Sequence, residues 1–167
     1  VVQGGLTSGR WALVHAGASG VGTAAIQIAK AIHARIAVTC SPGKSAACRD
    51  LGADVVLERS PADWLTALRA EVPEGADTIL DVVGGDEAER NLQAVAVDGT
   101  IVQVGLMGGG TATVPMGLLL MKRVTWVGTT LRSRPLERKI ELCQRFAKEV
   151  IPMFESGVLR PVIDSRF

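Results

Sequence analysis

The sequence predicts an α/β protein with one doubly wound, parallel, six-stranded sheet in the order 3-2-1-4-5-6. Three observations carry this. Short apolar, β-branched runs alternate with amphipathic segments of helical period along most of the chain. Apolar residues make up 47% of the 167, the richness expected where helices cover both faces of a parallel sheet. Glycine clusters at 17–22, 84–85 and 105–110 each follow a predicted strand.

The first strand spans about 11–16 and the first helix runs to about Ile32, with Val21, Ala24, Ala25, Ile28, Ala29 and Ile32 as its apolar face. A β-branched second strand, Arg35 to Thr39, precedes a helix bracketed by Pro42 at its first position and Gly52 past its end. The third strand is Asp54 to Leu57. Ser60 and Pro61 are the expected N-cap and first residue of a helix reaching about Ala70. The fourth strand, Asp77 to Val83, stops at Gly84-Gly85, and a helix covers about Asp86 to Val97. Asp98-Gly99 then turns into a fifth strand, Thr100 to Gly105. After the loop Leu106 to Gly110 come a short apolar segment, Gly117 to Met121, and a sixth strand, Val124 to Thr129. The last helix begins after Pro135, with Ile140, Cys143, Phe146, Ala147 and Val150 on one face.

Length fits one domain over residues 1–167. A formal charge of +1 argues against nucleic acid or an anionic membrane surface as partner. No apolar run approaches the ~18 residues of a membrane span. Cys40, Cys48 and Cys143 form no Cys-x-x-Cys pair, and with only His15 and His33 beside them no metal cluster is expected. Idle thiols fit a reducing compartment, so a cytoplasmic location is the expectation. His15 lies inside a predicted strand and reads as a packed core histidine; His33 reads as a helix-end cap. The chain starts with Val, and its natural start is expected upstream.

The run Ala16-Gly17-Ala18-Ser19-Gly20-Val21-Gly22 joins the first strand to the first helix. Strand, glycine turn and helix together present backbone N–H groups and a positive dipole end to an anion. Gly17, Gly20 and Gly22 allow a sharp turn and close approach of a pyrophosphate. In the predicted strand order the switch point lies between strands one and four. That brings Gly17–Gly22, Val83-Gly84 and Gly105–Gly110 to one carboxyl edge, and a dinucleotide is the ligand such an edge takes. An NAD site places a carboxylate about 20 residues after the turn. Here Thr39-Cys40-Ser41-Pro42-Gly43-Lys44 has none, while Ser41 can donate to a 2′-phosphate and Lys44 brings a positive charge. NADP(H) is therefore favoured.

The run from Ala16 through Gln27 resembles the cofactor motif of the zinc-free quinone oxidoreductases of the medium-chain dehydrogenase/reductase superfamily. Asp81-Val82-Val83-Gly84-Gly85, Gly105-Leu106-Met107-Gly108-Gly109-Gly110 and Thr130-Leu131-Arg132-Ser133-Arg134 extend the likeness, most closely to its tumour-suppressor-inducible branch. The resemblance implies NADPH-dependent hydride transfer to a quinone or related small acceptor, without a metal. It assigns Ser19, Gly20 and Val21 to the pyrophosphate, and Ser41 and Lys44 to the 2′-phosphate. Val83, Leu106 and Met107 border the adenosine and nicotinamide, and Arg132 and Ser133 form the loop over the nicotinamide end. Where that family has Asn-Tyr after the third strand this chain has Leu57-Glu58-Arg59, and Glu58 opposes a 2′-phosphate unless Arg59 offsets it.

The resemblance also implies a separate GroES-like catalytic domain outside this chain, so no catalytic residue is assigned here. Arg160 to Phe167 resembles the start of the return to that domain. A reductase of alkenals or enoyl thioesters, and a non-catalytic NADP(H)-sensing module, are the competing functions. Val124, Trp126 and Val127 leave the outermost strand apolar and without a blocking charge or proline, which marks residues 124–129 as a homodimer edge.

Overall fold

The computed structural model describes residues 3–59, 63–163 and 165. Six parallel strands form one sheet: β1 (Trp11–Val14), β2 (Arg35–Cys40), β3 (Val55–Glu58), β4 (Ala76–Asp81), β5 (Val95–Gln103) and β6 (Thr125–Gly128). Their order is β3-β2-β1-β4-β5-β6, as the alternating pattern predicts. The helices are α1 (Gly20–Ala31), α2 (Ser45–Asp50), α3 (Trp64–Glu71), α4 (Glu87–Ala94), α5 (Met116–Met121), α6 (Leu136–Glu149) and α7 (Ile151–Glu155).

The central strand shows why these runs are apolar without alternation. Leu13 pairs with Ala37 on one side and Ile79 on the other, and Ala12, Leu13 and Val14 are all buried. Successive side chains enter opposite layers. Leu13, Ala37, Ile79 and Ile101 pack with Trp64, Leu65 and Leu68 of α3 and Leu92 of α4. Ala12, Val14, Ile36 and Val38 pack with Ile26 and Ala29 of α1 and Cys48 of α2.

Several boundaries depart from the sequence reading. Pro42 does not open α2, which starts three residues later at Ser45; Gly52 does follow its end, at φ 101°. Asp63 caps α3 by accepting from Leu65 N–H at 3.2 Å, whereas Ser60 and Pro61 lie outside the described residues. α4 stops at Ala94, and the pairing of Val95 with Ala76 begins β5 at once. Asp98-Gly99 is consequently a kink inside that strand, with Asp98 at φ 60° and a register shift between Ala76 and Thr78. The Asp98 carboxylate takes two hydrogen bonds from Arg123, at 2.6 and 2.7 Å, which hold the kink toward the loop before β6.

Two helix faces also differ. The buried residues of α1 are Gly22, Ile26, Gln27 and Ala29, one step around from the stripe that includes Val21 and Ala24, both of which stay exposed. That stripe lines a cleft over the β4–β5 half of the sheet. On α6 no residue is buried, and Ile140 and Phe146 remain exposed. The periodicity located the helix, but among the described residues no layer buries its apolar face.

Lys122 closes the open end of α4. Its ammonium donates to the carbonyls of Leu92 at 3.0 Å, Gln93 at 2.9 Å and Val95 at 2.6 Å. Carbonyls at a helix C-terminus lack intrahelical partners and sit at the negative dipole end; here Arg69 also donates to Gln93 C=O, at 3.4 Å. Burial lowers the ammonium's pKa below the usual lysine value, and the nearby Arg69 adds to the effect. Lys122→Met keeps the stem and deletes the donors. We expect a loss of about 1.5–3 kcal/mol in urea unfolding. An unchanged midpoint would show the three bonds to be dispensable.

Candidate functional site

The carboxyl edge of the sheet is built from three turns. At the first, Ala16 takes φ 57° and Gly17 N–H returns to Thr39 C=O at 2.8 Å. The glycines there have different physical reasons. A Cβ on Gly17 would lie 2.6 Å from Val38 Cβ, and one on Gly22 would run into the carbonyl oxygen of Ala16. A Cβ on Gly20 would meet nothing within 4 Å, because that position faces open space. Ser19 is the N-cap of α1, its hydroxyl accepting from Gly22 N–H at 3.0 Å. Thr23 N–H reaches Ser19 C=O, while the amides of Gly20 and Val21 find no acceptor among the described residues. With no acidic side chain in the first turn, the helix presents two free donors and its positive end to solvent.

The second turn is organised by Asp81, whose carboxylate is fully buried. It accepts from Val83 N–H at 2.6 Å, from Gly84 N–H at 3.1 Å, and from Asn91 Nδ2 at 2.9 Å. Gly84 and Gly85 sit at φ 68° and 57°, a region that glycine enters without strain. The third turn is stitched to the second. Gly84 bridges Gly109, Gly108 N–H donates to Val83 C=O at 2.7 Å, and Gln103 Nε2 donates to Gly105 C=O at 2.7 Å. A Cβ on Gly85 would strike the Gly108 carbonyl, so these two loops close only as glycine on glycine.

The expected residues fall into three sets. Gly17, Ser19, Gly20, Val21, Gly22, Gly84, Leu106 and Met107 lie on these turns, and Gly20, Val21, Gly105 and Met107 line one cleft. Val83 is on the edge through its backbone alone, since its side chain is 7% exposed. Ser41 and Lys44 are exposed just past β2, linked by Lys44 N–H to Ser41 C=O at 3.2 Å around Gly43. Lys44 occupies the N-cap position of α2 without a side-chain capping bond. Arg132 and Ser133 are exposed on the loop after β6, where Thr130, Leu131 and Arg134, not those two, line the cleft. Glu58 lies across from Cys40 in register, and its carboxylate takes the hydroxyl of Ser45.

The sequence reading missed a buried polar chain behind the turns. His15 Nδ1 lies 3.0 Å from Thr39 Oγ1, and its Nε2 lies 2.7 Å from Asn91 Oδ1. His15 is indeed a packed core residue, its ring edge-on to Trp64 at 5.2 Å. An Asp at a strand end, three residues before a pair of glycines, was the available signal for Asp81. For Asn91, one of five polar residues on α4, there was none.

Residues 20–148 match the family described as zinc-binding dehydrogenase. Prostaglandin reductase-3 of Bos taurus is 30% identical over 156 residues, 93% of this chain and 40% of that protein. The structure of Pseudomonas syringae quinone oxidoreductase superposes with a TM-score of 0.83 at 31% identity, covering 96% of this chain and 49% of that one. That of Escherichia coli quinone oxidoreductase, a complex with NADPH, gives 0.83 at 26% identity, covering 95% and 49%. The chain thus spans half or less of the length of these relatives. Among the described residues no group of three or more His, Cys, Asp or Glu side chains could share a metal ion, so they offer the zinc of the family's description no site. The match over most of the chain, with the sheet order and the three glycine turns, makes this chain a member of the zinc-binding dehydrogenase family, within the medium-chain dehydrogenase/reductase superfamily.

Proposed function

We propose that this chain is the NADP(H)-binding part of an oxidoreductase that passes a hydride from NADPH to a quinone. One observation carries the reading: Gly20 and Val21, whose amides find no acceptor among the described residues, line the same cleft as Gly105 and Met107, and a Cβ on Gly20 would meet nothing within 4 Å. This is where a doubly wound sheet takes a pyrophosphate. The names of the Pseudomonas syringae and Escherichia coli relatives favour a quinone as acceptor. That of the bovine relative, a prostaglandin reductase, names a different small-molecule acceptor, and reduction of an alkenal or enoyl double bond is the second reading.

NADPH, when bound, supplies the hydride. The chain's own residues bind and orient. Gly20 and Val21 donate N–H groups to the pyrophosphate at the positive end of α1. Ser41 and Lys44 meet the 2′-phosphate, where no carboxylate follows β2 directly. Glu58 is occupied by the Ser45 hydroxyl, which moderates its opposition to that phosphate. Leu106 and Met107, 58% and 71% exposed, offer apolar surface to the nicotinamide half. Arg132 and Ser133 lie on the loop beyond it. No side chain of this chain is assigned a proton transfer, and the acceptor's second wall belongs to the part of the relatives that this chain does not span. Residues 124–129 remain the proposed homodimer edge: β6 is outermost, and Trp126 and Val127 are only partly buried.

The cofactor assignment is tested by titrating NADPH and NADH against three variants at fixed salt. Lys44→Ala should weaken NADPH roughly tenfold, the low end for a lost charge-assisted contact on an exposed residue. NADH should be nearly unaffected, and equal affinities of variant and wild type for NADPH would sink the 2′-phosphate role. Gly20→Ala should unfold like wild type yet bind NADPH poorly, because its new methyl occupies the phosphate's approach. Gly22→Ala should instead lose stability, since its methyl meets the Ala16 carbonyl. Normal NADPH binding by Gly20→Ala would remove the phosphate from this turn.

The dimer edge is checked by light scattering of wild type and Val127→Lys. A dimer for the first and a monomer for the second are expected; a monomeric wild type refutes the proposal.

A further inference from the structure

At the switch point the hydrogen bonding of the sheet divides. The last backbone bond from the β1 side to β4 is His15 N–H to Leu80 C=O, at 3.1 Å. Beyond it the chain leaving β1 turns toward β2, with Gly17 N–H on Thr39 C=O. The chain leaving β4 turns toward β5 instead, with Val104 N–H on Asp81 C=O at 2.8 Å and Gly108 N–H on Val83 C=O at 2.7 Å. The edge therefore consists of two halves without a backbone bond across the crevice, and a dinucleotide must touch both.

Side chains span that gap. Thr39, His15, Asn91 and Asp81 form one chain of hydrogen bonds, and none is more than 1% exposed. With a neutral imidazole its donors and acceptors admit a single assignment. Asp81, already holding the amides of Val83 and Gly84, accepts from Asn91 Nδ2. Asn91 Oδ1 thus faces His15 and requires a proton on Nε2. His15 Nδ1 is then bare and accepts from the Thr39 hydroxyl, whose oxygen accepts in turn from Ala16 N–H at 3.3 Å. The chain starts at the glycine turn and ends at the Gly84 turn. Space-filling alone would favour apolar residues here, because a buried polar chain is costly unless every member is matched.

We propose that His15 and Asn91 are positioning residues: their bond sets the distance between the glycine turn that holds the pyrophosphate and the Gly84–Gly109 loops that border the nicotinamide half. The inference rests on the dinucleotide reading. Neither residue touches the cofactor; both act through the backbone of the turns.

The test pairs two substitutions. His15→Phe keeps a ring against Trp64 but removes the donor to Asn91, while His15→Gln restores a donor at similar reach. Calorimetric titration gives dissociation constants for NADPH and for 2′,5′-ADP, which draws on the glycine turn, Ser41 and Lys44, and urea unfolding is measured beside it. His15→Phe is expected to weaken NADPH about fivefold to tenfold while changing 2′,5′-ADP less than about twofold, with His15→Gln near wild type. Unchanged NADPH binding by His15→Phe, or equal weakening of both ligands, overturns the positioning role. A wild type that binds neither ligand overturns the dinucleotide reading itself. If His15→Phe does not fold, imidazole nitrogen resonances of the wild type decide. The Nε2–H tautomer, shifted more by NADPH than by 2′,5′-ADP, supports the proposal; the Nδ1–H tautomer or no response to NADPH overturns it.

Discussion

The parallel ladder between β1 and β4 ends at the bond from His15 N–H to Leu80 C=O, and the functional edge exists because it ends there. Two strands that kept pairing would leave no crevice. Instead β1 turns into α1 on one layer and β4 into α4 on the other, and each exit is a turn that a Cβ would block. Gly17 is held against Val38, Gly22 against the Ala16 carbonyl, and Gly85 against the Gly108 carbonyl. Steric necessity at those three positions does not extend to Gly20, where a Cβ would meet nothing within 4 Å.

Much of this was legible in the sequence because its cause is local. Doubly buried strands read as unbroken apolar runs, and the strand order followed from alternation with helices. Gly52 past the end of α2 is a feature of one turn and was recovered from residue type, whereas the N-cap role of Ser19 was not read. What failed depended on neighbours distant in sequence. Asp98-Gly99 resembles a turn, yet pairing of Val95 with Ala76 makes it a kink within β5. The α1 stripe was displaced by one step, because Ile26 and the glycine contacts at Gly22 decide which side meets the sheet. The face of α6 was found and is uncovered, since periodicity reports that a face is apolar and not what covers it.

The site divides along the same line. The glycine turn is encoded in seven consecutive residues and was read directly. Lys44 and Ser41 were found by counting from it, and the structure leaves both exposed beside the end of β2. Asn91 and Thr39 could not be found that way, for their importance comes from meeting His15 and Asp81 across the sheet. Val83 was expected to border the cofactor; its carbonyl takes Gly108 N–H while its side chain packs inward.

The central claim is that three turns far apart in sequence act as one dinucleotide-binding edge. Amide hydrogen exchange with and without NADPH tests it most directly, because it reports each turn separately in the unaltered chain. Concerted protection of residues 17–23, 83–85 and 105–109, with the base of the sheet unchanged, is the predicted result. Protection confined to one turn, or none at saturating NADPH, would contradict the account.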